Sequence, residues 1–109
     1  MNAIKKEECC VLPLVLKGKW FDMIKCGEKK EEYRISKNVM RQIERWYGEA
    51  AINNKRLAVR FFLGYQKGRP SATFEADMPY STTQSMQPNW GEPKGFHYVI
   101  PLAEEVELV

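Results

Sequence analysis

Gly27-Glu28-Lys29-Lys30-Glu31-Glu32-Tyr33-Arg34 has the form G-x-K-x-x-E-x-R, and its reading decides how the first half of the chain folds. Before it, residues 17–26 carry Trp20, Phe21, Met23 and Ile24 as the apolar positions of a short amphipathic helix. A glycine just past such a helix fits a left-handed stop. The polar residues after Gly27 then continue as an extended segment. Side chains alternate faces along a strand, so Lys30, Glu32 and Arg34 share one face and Glu31, Tyr33 and Ile35 the other. Lys29 sits at the turn, leaning over whatever the strand lines. Two kinds of segment answer this description. One is a solvated edge strand, whose exposed ion pairs contribute little. The other is a cleft wall on which a carboxylate holds cations in place.

Working outward, residues 10–16 form an apolar run ending at Lys17-Gly18-Lys19, which reads as a strand. Ser36 is a suitable N-cap for a second helix reaching about Tyr47, with Val39, Met40, Ile43, Trp46 and Tyr47 at helical spacing and Gly48 closing it. That spacing assigns Trp20 and Trp46 to the core. Leu57, Val59, Phe61 and Leu63 alternate as a further strand, and Ala72, Phe74, Ala76 and Met78 as its hairpin partner, ended by Pro79. Between them lies a basic, glycine-containing turn, residues 64–70. Residues 80–94 are polar and too long for a tight turn, and loops of that length often carry function. Phe96, Tyr98, Ile100 and Leu102 alternate as a last strand, followed by an acidic tail at residues 104–107. Several strands with two helices fed in near the start suit one α+β domain spanning residues 1–109. The expected form is a small mixed β-barrel with helices at its side or ends.

Composition narrows the function classes. With 44% hydrophobic residues the 109-residue chain can bury one core, which excludes a disordered protein. A net charge of +3 is only mildly basic; it permits a local basic cleft and does not demand nucleic acid. No apolar run reaches membrane-spanning length, and the charged first eight residues hold no signal-peptide core, so a cytoplasmic protein without membrane association is expected. Cys9, Cys10 and Cys26 are odd in number and lack C-x-x-C spacing, and His97 is the only histidine. Neither a disulfide scaffold nor a zinc site has its parts, and no cofactor or metal is expected.

Leu12-Pro13-Leu14, Trp20-Phe21-Asp22-Met23-Ile24 and the Gly27–Arg34 element together resemble the ASCH domain family, a branch of the PUA-like superfold. Gly64-Tyr65, Trp90-Gly91 and Tyr98-Val99-Ile100 resemble it more weakly. The resemblance implies a small barrel whose G-x-K-x-x-E-x-R element lines a cleft for RNA or a nucleotide-like ligand. Lys29, Lys30 and Arg34 would hold phosphate or a base carbonyl, and Glu32 would accept from an amino or hydroxyl group while steadying Arg34. Tyr65 and Trp90 either stack on bases or cap the barrel, and Lys67 and Arg69 lie on the same turn as Tyr65. The rival class is a hydrolase. Some ASCH-like proteins resemble amidohydrolases of acetylated cytidine, which use a lysine, a hydroxyl nucleophile and a distant glutamate. Lys29 matches the lysine, but Glu32 stands where the hydroxyl is needed, and Glu75 is the candidate second carboxylate. A ribonuclease would use Glu32 as general base and Lys29 as charge stabiliser. The lone His97 reads as a structural residue whose ring nitrogens are satisfied.

Overall fold

The computed structural model describes all residues from Met1 to Val109. In chain order the elements are β1 (Asn2–Ile4), β2 (Cys9–Leu16), α1 (Gly18–Lys25), β3 (Glu31–Arg34), α2 (Lys37–Ile52), β4 (Arg56–Leu63), β5 (Ser71–Ala76), β6 (Tyr80–Thr82) and β7 (His97–Leu108), with 3-10 turns at Lys6–Glu8 and Pro88–Trp90. The strands make one mixed seven-stranded sheet in the order β1-β7-β5-β4-β2, and β3 and β6 also pair with β7. β2 and β4 run parallel because the chain between them crosses over through α1, β3 and α2. β4 and β5 form the expected antiparallel hairpin.

β7 organises the sheet. Its first half pairs with β3 (Glu32 opposite Ile100, Arg34 opposite Tyr98) and with β6, while its second half pairs with β5 and β1. Backbone hydrogen bonds do not close this sheet into a ring. β3 and β2 are instead linked by a side chain, with Arg34 Nη2 donating to Val15 O at 2.9 Å. Alternation along β2 and β4 buries Leu12, Leu14, Leu16, Val59 and Phe61. Phe21 and Ile24 of α1 and Ile43 and Trp46 of α2 pack into the same core. Trp46 also donates Nε1–H to Cys10 O at 2.7 Å, which satisfies its one polar atom. No helix is long and apolar enough to cross a membrane.

Three boundaries differ from expectation. Gly48 does not close α2, which continues to Ile52 and stops at Asn53 and Asn54, the latter at φ 52°. A mid-helix glycine costs about 1 kcal/mol relative to alanine, and burial of Ala50 beyond it outweighs that local preference. The acidic residues 104–107 are not a tail. They form the outer positions of β7 around buried Val106, with Glu104 accepting from Asn2 and Glu105 paired with Lys25. Composition hid this strand because one buried valine carries its inward face. The loop over residues 80–94 contains β6 and the Pro88–Trp90 turn, and β5 ends at Ala76, before Met78.

Candidate functional site

The turn after α1 builds the site. Cys26 caps the helix, and Gly27 follows at φ 86°, a conformation that a side chain resists. Lys29 N then donates back to Met23 O at 2.9 Å. This reversal lays Lys29 over the preceding turn of α1, so its Nζ sits 4.5 Å from the centre of the Trp20 ring and 5.3 Å from that of Tyr33. β3 starts two residues later and presents Glu32 to the same point.

Lys29, Glu32 and Arg34 form one ion triad. Lys29 Nζ donates to Glu32 Oε1 at 3.1 Å, while Arg34 donates to Oε2 from Nε at 3.0 Å and from Nη2 at 2.6 Å. The Lys29 and Glu32 side chains are only 3% and 5% exposed, and Arg34 is 22% exposed. Burying charge is costly unless each charge is paired and hydrogen-bonded. Here the carboxylate takes three N–H bonds from two cations, and Lys29 adds two aromatic faces. Both oxygens of Glu32 are engaged, Oε1 by one donor and Oε2 by two, so Glu32 holds Lys29 and Arg34 in place. Arg34 Nη1 makes no hydrogen bond within the protein.

The triad lies in the wall of a cleft of about 530 Å³, whose other walls include Lys17, Trp20, Tyr33, Ser36 and Gly91. Lys17, Lys29 and Arg34 against Glu32 leave an excess of two positive charges in the lining. Lys17 and Ser36 are also the N-cap residues of α1 and α2. Neither side chain caps its helix, and neither first turn holds an acidic residue. The N-terminal ends of two helices, without side-chain caps, thus border one cleft.

Of the residues singled out in the sequence, the structure brings Lys29, Glu32 and Arg34 together. Lys30 is exposed and lies outside the cleft lining. Tyr65 is 86% exposed on the turn joining β4 to β5, and that turn meets the cleft rim where Gly64 N donates to Leu16 O. On the same turn Arg69 stacks on Phe62 and donates to Gly64 O. Trp90 is half-buried in the Pro88–Trp90 turn beside Gly91 and is not part of the lining. Glu75 is held by Arg56 at an exposed position and is likewise absent from the lining. Trp20, assigned to the core by its helical spacing, is half-buried and also lines the cleft. It packs against the main core, as its spacing implied, and from the first turn of α1 its exposed part reaches the cleft.

The loop carrying Gly91 is anchored by a pair that sequence reasoning did not connect. His97 is fully buried, with Nδ1 2.7 Å from Gly95 O and Nε2 3.1 Å from Glu92 Oε2. A carbonyl only accepts, so Nδ1 carries a hydrogen. Glu92 also accepts from the Gln87 and Met86 backbone amides. Burial pushes the Glu92 carboxyl up, but these amides and His97 outweigh it and hold the group below its ordinary value. Tyr33 meets the His97 ring edge-on at 5.8 Å and donates to Glu31. Burial and that carboxylate push the Tyr33 phenol far up, so it stays protonated. Nowhere do three histidine, cysteine, aspartate or glutamate side chains converge as a metal site would require.

No family model matches the chain, and neither a curated protein nor a solved structure matches it.

Proposed function

We propose that the chain is a PUA-like domain of the ASCH type, its strands wrapped as a small mixed barrel, and that its basic cleft binds RNA or a nucleotide-like ligand in the cytoplasm. The observation that carries this reading is the buried Lys29–Glu32–Arg34 triad in the cleft wall, with both Glu32 oxygens engaged and Arg34 Nη1 left without a protein partner. A guanidinium fixed in this way offers a preorganised donor pair to a phosphate or a base carbonyl. Lys17, the two uncapped helix N-termini and the half-exposed Trp20 ring add positive potential and an aromatic surface. The Arg34 bond to Val15 O, joining β3 to β2, supports the barrel-like wrapping. Tyr65 and Lys67 on the neighbouring turn, with Trp90 beside Gly91, are positions a longer strand would reach.

Binding is favoured over hydrolysis. Glu32 stands where the resemblance puts the hydroxyl nucleophile, and both of its oxygens already accept from cations. The only histidine is buried with both ring nitrogens engaged.

The test is a fluorescence titration of a protein with Trp20 as sole tryptophan (Trp46→Phe, Trp90→Phe), using nucleoside monophosphates and short single-stranded RNAs. Saturable change in Trp20 emission is expected. Lys17→Glu, an exposed change, is expected to weaken binding and to lower the log–log salt slope by about one unit. Flat titrations, with no RNA retained in a filter assay, overturn the proposal.

A further inference from the structure

A second pocket, of about 210 Å³, lies between α2 and the β6–β7 strands and shares no lining residue with the basic cleft. Glu44 and Tyr47 form its helix side, Pro79, Tyr80 and Ser81 its β6 side, and Tyr98 the β7 wall, over buried Ile43. Three tyrosines thus converge on a space that is too small for drug-sized ligands, which fill about 300–1,000 Å³. It is the size of a head group.

The electrostatics of this pocket are opposite to those of the cleft. Tyr98 donates its hydroxyl to Glu44, and Tyr80 reaches Glu31 at 3.5 Å. Neither Glu31 nor Glu44 forms a salt bridge with any lysine or arginine, although Arg41 and Arg45 flank Glu44 on α2. Glu44 therefore stands at the pocket rim without a salt-bridge partner, and Glu31 lies behind the Tyr80 hydroxyl just outside the lining. A phenol that donates to a carboxylate has a more electron-rich ring, and its negative face attracts cations. The Glu44 bond holds the Tyr98 phenol above its ordinary value, and burial together with Glu31 does the same for Tyr80, so both rings remain neutral donors at physiological pH. The surface around the pocket is also richer in exposed aromatics than folding requires. Tyr80 is 48% exposed, and Phe96, 56% exposed, meets Tyr98 edge-on.

A compact ammonium would lose too much hydration here to be held well. An alkylated ammonium spreads its charge over methyl groups, sheds water readily and fills a small apolar cage. We propose that this pocket binds an alkylated ammonium group, the head group shared by choline and by a methylated lysine side chain. The aromatic faces take up the methyl groups, and Glu44 supplies the counter-charge at the rim.

Amide NMR spectra of the whole chain, titrated with choline, free trimethyllysine, ammonium and the neutral choline isostere 3,3-dimethylbutanol, test this directly. Choline and trimethyllysine are expected to shift residues 43–47, 79–81 and 98 saturably, with ammonium and the isostere binding at least about fivefold more weakly. Glu44→Gln and Tyr80→Leu, both at exposed positions, are each expected to weaken choline about fivefold while leaving the rest of the spectrum unchanged. Tighter binding of trimethyllysine assigns the site to a modified protein tail, and tighter binding of choline to a small molecule or lipid head group. Equal binding of the neutral isostere, shifts confined to the basic cleft, or no saturation overturns the proposal. The outcome is independent of whether the cleft binds RNA, because no residue is common to the two sites.

Discussion

Replacing Glu32 by alanine is expected to destabilise the fold by about 3–5 kcal/mol, the cost of breaking a buried ion pair from one side. The size follows from what remains. Lys29, with its side chain 3% exposed, would keep its charge but lose its only hydrogen-bond partner, Glu32 Oε1. Its contacts with the faces of Trp20 and Tyr33 would offset about 2 kcal/mol of that penalty. Arg34 suffers less, because it is 22% exposed and keeps its bond to Val15 O. Lys29→Met should cost less, about 1.5–3 kcal/mol, the worth of one charged hydrogen bond, since Glu32 retains both bonds from Arg34. The double change Lys29→Met, Glu32→Leu should recover much of the Glu32→Ala loss, because no unpaired buried charge is left. Urea unfolding monitored by circular dichroism, with slopes checked for constancy, measures all three. The exposed Arg56–Glu75 pair serves as the control: its loss should be small and should vanish in high salt, whereas the Glu32 effect should persist. A Glu32→Ala cost below about 1 kcal/mol, or one abolished by salt, would refute the assignment of the triad to a buried cleft wall.

Gly91→Ala is expected to lower stability by about 1–2 kcal/mol from its left-handed backbone alone. It should also shift Trp20 emission, because Gly91 has φ 79° and an added Cβ would meet Trp20 Cη2 and Cζ2 at 2.8 Å; an unchanged melting temperature and spectrum would show that this loop does not rest on the indole. Glu92 has a folded carboxyl held below the ordinary 4.5, so its contribution is complete above that value and is lost as pH falls below it, through the folded value. Protection of the Gln87 amide, relative to its intrinsic exchange rate at each pH, is therefore expected to fall in that acid range in the wild type, whereas Glu92→Gln should show low protection at neutral pH as well. Trp90→Ala, compared with the wild type by calorimetric titration, is expected to leave mononucleotide affinity unchanged, because Trp90 is outside the cleft lining. A loss of affinity would bring Trp90 back into the site.

The grouping of Lys29, Glu32 and Arg34 was legible locally. Gly27 as a helix stop and the alternation from Glu31 to Arg34 were enough to put Glu32 beside Arg34, and Lys29 next to them at the turn. The partners of these residues were not legible. Trp20 reads as core by helical spacing, and its place at the cleft mouth depends on the Gly27 turn folding Lys29 back to Met23. The Glu92–His97 pair spans a polar loop with no periodicity, so nothing in the sequence marked Glu92 as buried. The tyrosines of the second pocket are distributed over α2, β6 and β7, and each alone looks like an ordinary half-buried aromatic.

The sequence by itself determined element types and side-chain phase, because periods of 3.6 and 2 residues are set by backbone geometry within a few residues. That was sufficient for the amphipathic helices, the β4–β5 hairpin and the shared face of Glu32 and Arg34. The tertiary structure alone decided which of those faces went inside. β3 is covered only because β7, more than sixty residues later, pairs with it, turning a strand that reads as a solvated edge into the wall of a cleft. Pairing with β5 and β1 likewise made a strand of an acidic stretch, and burial of Ala50 carried α2 past Gly48, since burial against distant partners outweighs local preferences of about 1 kcal/mol.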